Sequence, residues 1–539
     1  MKTRIGTLLL SLILLFAALP PAQGTAPAQA KDQAAAACLQ LHSDPGYGTE
    51  WSLLGLLRGE TSLPDGYLNQ YRAHLIQTLQ EKGGILHARK YTEYARVVLA
   101  VTAAGQDARN WNQYALLAPL GEREMVLRQG VNGAIFALLA LDCGAYPMPA
   151  AKKGQAQATR GDYIRAVLAA RTKDGGFALM GETADPDVTA MALTALAPYR
   201  EVVPGVSEAV EKGLACLSRL QNADGSFSSA VAADGSVTGA KIPNCESTAQ
   251  VLTALCTLGV SCRDPRFVKG GKTAADALCG FQQPDGSFAH QAGGGTDEFA
   301  TEQALYALVA LWRAEQGKTA LYDMTDVFSG GGRQGLPGKR AEITPRTAAW
   351  QGKTFPDVEN HPARAAIERL AAYGVLNGKS STRFDPDATM TRAEFSTAVV
   401  RALGLKPQEN SRFEDVVPNS WYSGFVGTAF AYGITKGTSS RRFTPNGIIT
   451  REEAAVMIRR TATLCGMDLS AGEARQAEIL GGYTDGASVS AWARESVAIC
   501  CALGWMPEEN GKLQPQKPIL RSEIAEILSN LLWEAELLV

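Results

Sequence analysis

The sequence predicts an all-α protein assembled from two unlike sets of helical repeats. Three observations carry that prediction. An Asp-Gly turn followed by Phe recurs at Asp174, Asp224 and Asp285, with spacings of 50 and 61 residues. An Ala/Leu-rich helical segment follows each turn, starting from Thr189, Thr248 and Thr301. A different unit, opening on an aromatic-x-Asp and closing on x-Arg-x-Glu, recurs three times after residue 355.

Composition bounds the possibilities. At about 150 residues per domain, 539 residues correspond to three or four folded units. Lys+Arg number 52 and Asp+Glu 54, so the net charge of −2 supplies no field for holding nucleic acid. A hydrophobic content of 46% is that of a globular chain, and 54 glycines imply many tight turns. Five histidines and ten cysteines without C-x-x-C spacing argue against a zinc cluster; no metal and no cofactor are expected. Cys256 lies in an apolar helical pattern and reads as a buried thiol.

Residues 1–30 read as a secretory signal. Lys2 and Arg4 form the charged start, Ile5 to Leu19 the apolar stretch, and Ala28-Gln29-Ala30 a small-x-small cleavage site. The apolar stretch is shorter than the roughly 20 residues a membrane span needs. Export and a mature chain without a transmembrane segment are the expectation.

Within the first repeat set, each Asp-Gly supplies a turn because Gly accepts positive φ at no steric cost. The turns read Arg171-x-x-Asp-Gly-Gly-Phe177, Gln221-x-x-Asp-Gly-Ser-Phe227 and Gln282-x-x-Asp-Gly-Ser-Phe288. Amphipathic helices are expected before them, at 205–220 and 268–282. Weaker copies of the apolar helix start at Thr49, Thr92 and Asn132. Six nearly all-apolar helices alternating with more polar ones place the first kind inside and the second outside, as in a closed α/α toroid of about six hairpins over residues 31–317.

These turns resemble the repeats of the prenyltransferase and squalene-cyclase superfamily of α/α toroids, which also holds vitamin B12 carriers and thioester domains. The resemblance implies a fold more than a function. Cyclases of the superfamily protonate an alkene with the middle acid of Asp-x-Asp-Asp-Thr-Ala. The matching stretch here is Asp185-Pro-Asp187-Val-Thr-Ala190, which keeps Asp187 but replaces the last Asp by Val188. The inner helices also read as poor in the aromatic residues that would steady a carbocation. The zinc of the protein prenyltransferases needs Asp, Cys and His; His290 has no Asp-x-Cys partner. The thioester sequence Gly-Cys-Gly-Glu-Gln is absent.

Acids recur near the starts of the inner helices: Glu50, Glu93, Asp187, Glu246 and Glu302, with Asp297 and Glu298 before the last. One reading is capping and dipole complementarity, worth about 0.3–1 kcal/mol each. The other is a ring of carboxylates around one mouth of the toroid, serving a polar or cationic ligand or hydrolysing glycosidic bonds. Glu93, Asp187, Glu246 and Glu302 are the catalytic candidates.

Residues 318–352, with Ser329-Gly-Gly-Gly-Arg-Gln-Gly335, read as a flexible linker in which Trp350 docks on a neighbour. Three further repeats follow at 353–408, 409–468 and 480–539. Their openings are Asp357, Asp415 and Asp485, separated by 58 and 70 residues, and their closing arginines Arg392, Arg451 and Arg521 by 59 and 70. Thr391 and Thr450 are natural helix N-caps. The third copy carries an insertion near 467–482.

These copies resemble the S-layer homology domain, whose triplets form a pseudo-threefold helical unit on pyruvylated secondary cell-wall polysaccharide. The resemblance implies that Arg392 and Arg451 pair with the pyruvate carboxylate, for which a guanidinium offers a planar fork. Asp357, Asp415, Gly378 and Gly437 would shape the grooves, and Trp421 would stack on a sugar. Copy one has Pro362 where copy two has Trp421. Copy three lacks the second Gly, so Arg521 reads as structural or binding.

The expectation is an exported bacterial surface protein, anchored non-covalently at the wall or S-layer and displaying a toroid that binds a ligand or partner. The alternatives are an anchored glycosidase-like or cyclase-like enzyme, a cobalamin-type scavenger, and a structural S-layer component.

Overall fold

A computed structural model describes residues 26–229, 242–409 and 412–538; among these the regular elements are helices, and only isolated bridges stand where strands would be. The expected signal core lies outside the described residues. Its cleavage motif, Ala28-Gln29-Ala30, falls in the first turn of helix α1 (Pro27–Leu41), where Ala30 is fully buried.

The first half is a ring of six hairpins, each an outer helix followed by an inner one. They are α1 with α2 (Glu50–Arg58), α3 (Tyr67–Glu81) with α4 (Thr92–Ala103), and α5 (Arg123–Leu127) with α6 (Gly130–Asp142). The others are α7 (Arg160–Ala169) with α8 (Pro186–Leu196), α9 (Val206–Leu220) with α10 (Cys245–Thr257), and α11 (Ala274–Cys279) with α12 (Glu298–Glu315). Inner helices pack in succession, and α12 returns onto α2, so the ring closes into an α/α toroid. The inner helices are buried almost all round, as their composition dictates.

The recurrent turn and the Thr of the next inner helix form one device. Asp224 and Asp285 each accept the backbone N–H of the residue two ahead, Ser226 at 3.1 Å and Ser287 at 2.9 Å. The following Phe is fully buried, and its N–H donates to the helix threonine. Phe177 meets Thr189 at 2.9 Å, Phe227 meets Thr248 at 3.0 Å, and Phe288 meets Thr301 at 2.9 Å. Each motif therefore ties a turn to the inner helix it precedes, satisfying a backbone donor that burial would otherwise strand. The helix expected at 268–282 is shorter: Gly270 and Gly271 both hold positive φ, and α11 starts only at Ala274.

The second half holds α13 (Arg364–Ala372) and α14 (Arg392–Ala402), α15 (Ser423–Ala431) and α16 (Arg451–Leu464), and α18 (Arg494–Ala502) and α19 (Arg521–Glu534). Helix α17 (Glu473–Gly481) fills the insertion. Thr391 and Thr450 form capping boxes with Glu394 and Glu453. Leu520 has no hydroxyl, and only the return bond from its N–H to Glu523 is made, at 2.9 Å. The first residue of each second helix bonds to the loop of the next copy: Arg392 N to Gly447 O, Arg451 N to Lys517 O, and Arg521 N to Ala388 O. The three copies thus close in a pseudo-threefold ring.

The segment 318–352 is packed, not a free tether. Arg58 and Arg313, both buried, grip Asp326 at 2.7 and 2.6 Å; Met324 N donates to Cys143 O; Leu336 and Ile343 are buried. Its glycines serve close approach, as where Gly332 N bonds Ala145 O. Trp350 rests on the Gly374 turn of the first copy. Beyond it, the end of α19 docks on the toroid. Arg160 is fully buried between Asp142, at 2.9 Å, and Glu536, while Arg165 meets Glu534 at 2.6 Å and Trp533 packs edge-on to Tyr199. Gly161 lets the two approach closely: a Cβ would stand 2.5 Å from the Glu534 carboxyl carbon, so any larger residue would push that carboxylate aside.

Candidate functional site

The acids near the inner-helix starts fall into three clusters, each with its own basic side chain: Arg96, His290 or His42. Glu50, fully buried, pairs with Arg96 Nε at 2.8 Å and accepts the Gly48 N–H. Glu93 meets the same arginine at 2.7 Å and accepts the Tyr47 hydroxyl at 2.7 Å. Burial pushes the Glu50 carboxyl up, with Arg96 opposing.

Asp187 and Glu246 form the second cluster. Glu246 pairs with His290 Nδ1 at 2.8 Å, and burial raises its pKa. Asp187 is pushed up to about 7, by burial first and then by the Asp185 carboxylate. Its Oδ1 and the neighbouring Ser247 Oγ are buried without a hydrogen-bond partner among the described residues. In the third cluster, Glu302 lies 3.1 Å from His42 Nε2, and Glu298 lies 3.5 Å from His42 Nδ1.

Capping falls to other residues: Asp185 accepts Asp187 N, Asn244 accepts Ser247 N, and Asp297 accepts Ala300 N. The candidates also occupy different registers. Asp187 and Glu246 stand two residues before the repeat threonine, whereas Glu302 stands one after it.

Below the mouth, the ring encloses an axial cavity of about 180 Å³. It is lined by Trp51, Phe136, Met191, Gln250, Tyr306 and Tyr322 among others. Trp51 centres on Phe136 at 5.9 Å and on Tyr306 at 6.0 Å. A polar edge faces this aromatic wall: Gln250 Nε2 donates to Tyr306 Oη at 2.7 Å and to Gln303 Oε1 at 3.1 Å. The expectation of an aromatic-poor interior is therefore corrected. The missed signal is positional: the residue two after the repeat threonine faces the cavity in four helices, as Trp51, Met191, Gln250 and Gln303. Tyr322 comes from the segment read as linker.

In the triplet, the three arginines are buried at the seams between copies. Arg392 donates to Phe443 O at 2.9 Å and to Glu453 at 2.7 Å; Arg451 donates to Leu513 O at 2.7 Å and to Glu523. Arg521 donates to Phe384 O at 3.0 Å and Asn377 O at 2.8 Å, while Lys379 takes Glu394. Asp357 accepts Phe384 N and Asp385 N, Asp415 accepts Phe443 N and Thr444 N, and Asp485 accepts Leu513 N and Gln514 N. These backbone donors hold all three carboxyls below their ordinary range, against burial. Gly437, at φ +81°, lies where a Cβ would be 2.5 Å from the Phe413 ring, and Gly378 is equally crowded by Phe355. The conformation of both loops requires glycine.

Outside the seams, Trp421 is exposed, and so is Trp492, which the sequence reading missed. Each stands two residues before its helix, α15 or α18, and a lengthening opening loop hides that match. The neighbouring loops of copies one and two carry exposed Lys379, Arg383, Lys436, Arg441 and Arg442.

The S-layer homology domain family model matches residues 354–396, 412–455 and 482–525. The chain is 32% identical over 192 residues to a surface-layer 125 kDa protein of Lysinibacillus sphaericus, covering 35% of this chain and 15% of that protein. It is 33% identical over 184 residues to an amylopullulanase of Thermoanaerobacterium thermosulfurigenes, covering 33% and 10%. The chain thus spans a small part of these relatives. Among solved structures, it is similar to an unsaturated glucuronyl hydrolase from Bacillus sp. GL1, at 12% identity and TM-score 0.38, over 56% of this chain and 99% of that one. Residues 354–396, 412–455 and 482–525 are three S-layer homology domains.

Proposed function

We propose that this chain is held non-covalently at a bacterial cell surface by its three S-layer homology domains, on an anionic wall polysaccharide of the pyruvylated kind. The observation that carries the reading is the closed triplet, with basic loops and exposed Trp421 and Trp492 on its outside. Arg392 and Arg451 each give one guanidinium N–H to a carboxylate at the seams, Glu453 and Glu523, the kind of group a ketal-linked pyruvate presents. Retention of the full chain on purified wall polysaccharide tests it, with Arg383→Glu/Arg441→Glu as the variant. Both positions are exposed, so the fold is kept.

The toroid is read as a binding module for a small, largely apolar ligand with a hydrogen-bonding edge, matched to the aromatic wall and the Gln250–Tyr306–Gln303 network. Asp187 favours a second reading, an acid-catalysed reaction at the mouth. A carboxyl raised to about 7 is poised to give up a proton near neutral pH. Incubation of the full chain with a culture extract, followed by mass spectrometry, separates the two. A compound retained intact and lost with Gln250→Leu supports binding; a compound consumed by wild type and spared by Asp187→Asn supports catalysis.

A further inference from the structure

The Glu302 cluster sits between two facing helices, α1 and α12. His42 is the C-cap of α1, and its side chain is 4% exposed. Glu298 and Glu302 stand at i and i+4 on α12, and hence on one face of that helix. One ligand atom from each of the three residues lies within 4.8 Å of the others. Two like charges at that spacing repel, and one imidazolium offsets at most one of them.

The site is also built around its ligand atoms. His42 Nε2 is buried, lies 3.1 Å from Glu302 Oε1, and makes no hydrogen bond of acceptable geometry. The Ser52 hydroxyl donates to Glu302 Oε1 at 3.1 Å and so orients that carboxylate from behind, while the Tyr67 hydroxyl holds the His42 backbone through its carbonyl at 2.9 Å. An ion can use only one ring nitrogen: Nε2 and Glu302 Oε1, 3.1 Å apart, are close to the roughly 3.4 Å that separates ligand atoms around a tetrahedral ion with bonds of about 2.0–2.1 Å, while Glu298, which faces Nδ1 at 3.5 Å, turns to join them. Glu298 is mostly exposed and free to swing, which leaves the outer side open to water.

We infer that His42, Glu298 and Glu302 bind one divalent cation of the zinc class at the rim of the toroid, with three protein ligands and an open position toward solvent. One imidazole nitrogen and two carboxylate oxygens suit zinc or cobalt. This site is separate from the Asp187 cluster and from the axial cavity, and it is not the Asp-Cys-His zinc arrangement whose absence the sequence shows.

Cobalt(II) added to the full-length chain is the probe, because its visible spectrum separates nitrogen and oxygen ligands from the thiolates of the ten cysteines. The expected result is one equivalent bound, with d–d absorption and no thiolate charge-transfer band. Glu298→Gln, an exposed change that leaves the fold intact, should weaken binding at least tenfold, and His42→Gln should abolish it. No saturable binding, a thiolate spectrum, or equal affinity in Glu298→Gln would overturn the inference.

Discussion

Arg521 in the third S-layer homology copy donates its Nε–H to the carbonyl of Phe384 in the first, at 3.0 Å, and so closes a ring that the chain itself leaves open. Arg392 makes the same bond to Phe443 and Arg451 bonds Leu513, each reaching the following copy. The arginines that mark the motif therefore hold the copies together, whatever they also contact outside.

Replacing one of them strands buried partners. Arg451→Ala leaves Glu523 Oε1 and the Leu513 carbonyl without their donor. The expected loss is about 2–3 kcal/mol, read as a lowered midpoint in thermal unfolding of the triplet. Arg451→Lys should recover only part, since an ammonium cannot span both acceptors in one plane.

The two halves should behave as one body. Arg160 and Arg165 hold Glu536 and Glu534, and residues 318–352 pack between the halves. Limited proteolysis should cut 318–352 slowly in wild type and much faster in Glu534→Ala/Glu536→Ala. Equal rates would show that the clamp does not restrain this segment.

Asp187 should make stability depend on pH with a definite sign. Its carboxyl is raised to about 7 in the fold, so the folded state binds the proton more tightly than the unfolded chain. That stabilisation is full below the unfolded carboxylate range and is lost as pH rises toward 7. Asp187→Asn should therefore raise the unfolding midpoint more at pH 8 than at pH 5, as measured by calorimetry at both.

What the sequence disclosed and what it hid have physical reasons. The turn Asp, Gly and Phe and the helix Thr were legible because each satisfies a local backbone demand, and such demands recur with the repeat. Thr391 and Thr450 were legible for the same reason. The pairing of Glu50 with Arg96, and of Glu302 with His42, was not, because it depends on which helices face each other. The order of 318–352 was hidden too: glycine content reads as freedom, yet Gly331 and Gly332 lie close against the Gly144–Ala145 backbone. Trp492 escaped because its loop is longer than that of Trp421, which breaks the spacing but keeps its place before the helix.

Anchoring is the central claim, and the most direct measurement is binding of the full chain to purified wall polysaccharide. It would compare wild type with Trp421→Ala/Trp492→Ala and with Arg383→Glu/Arg441→Glu, each at low and high salt. The account predicts saturable binding by wild type, weakened at least tenfold in either variant, with salt dependence reduced only in the arginine pair. Absence of binding by wild type, or full binding by both variants, would contradict it.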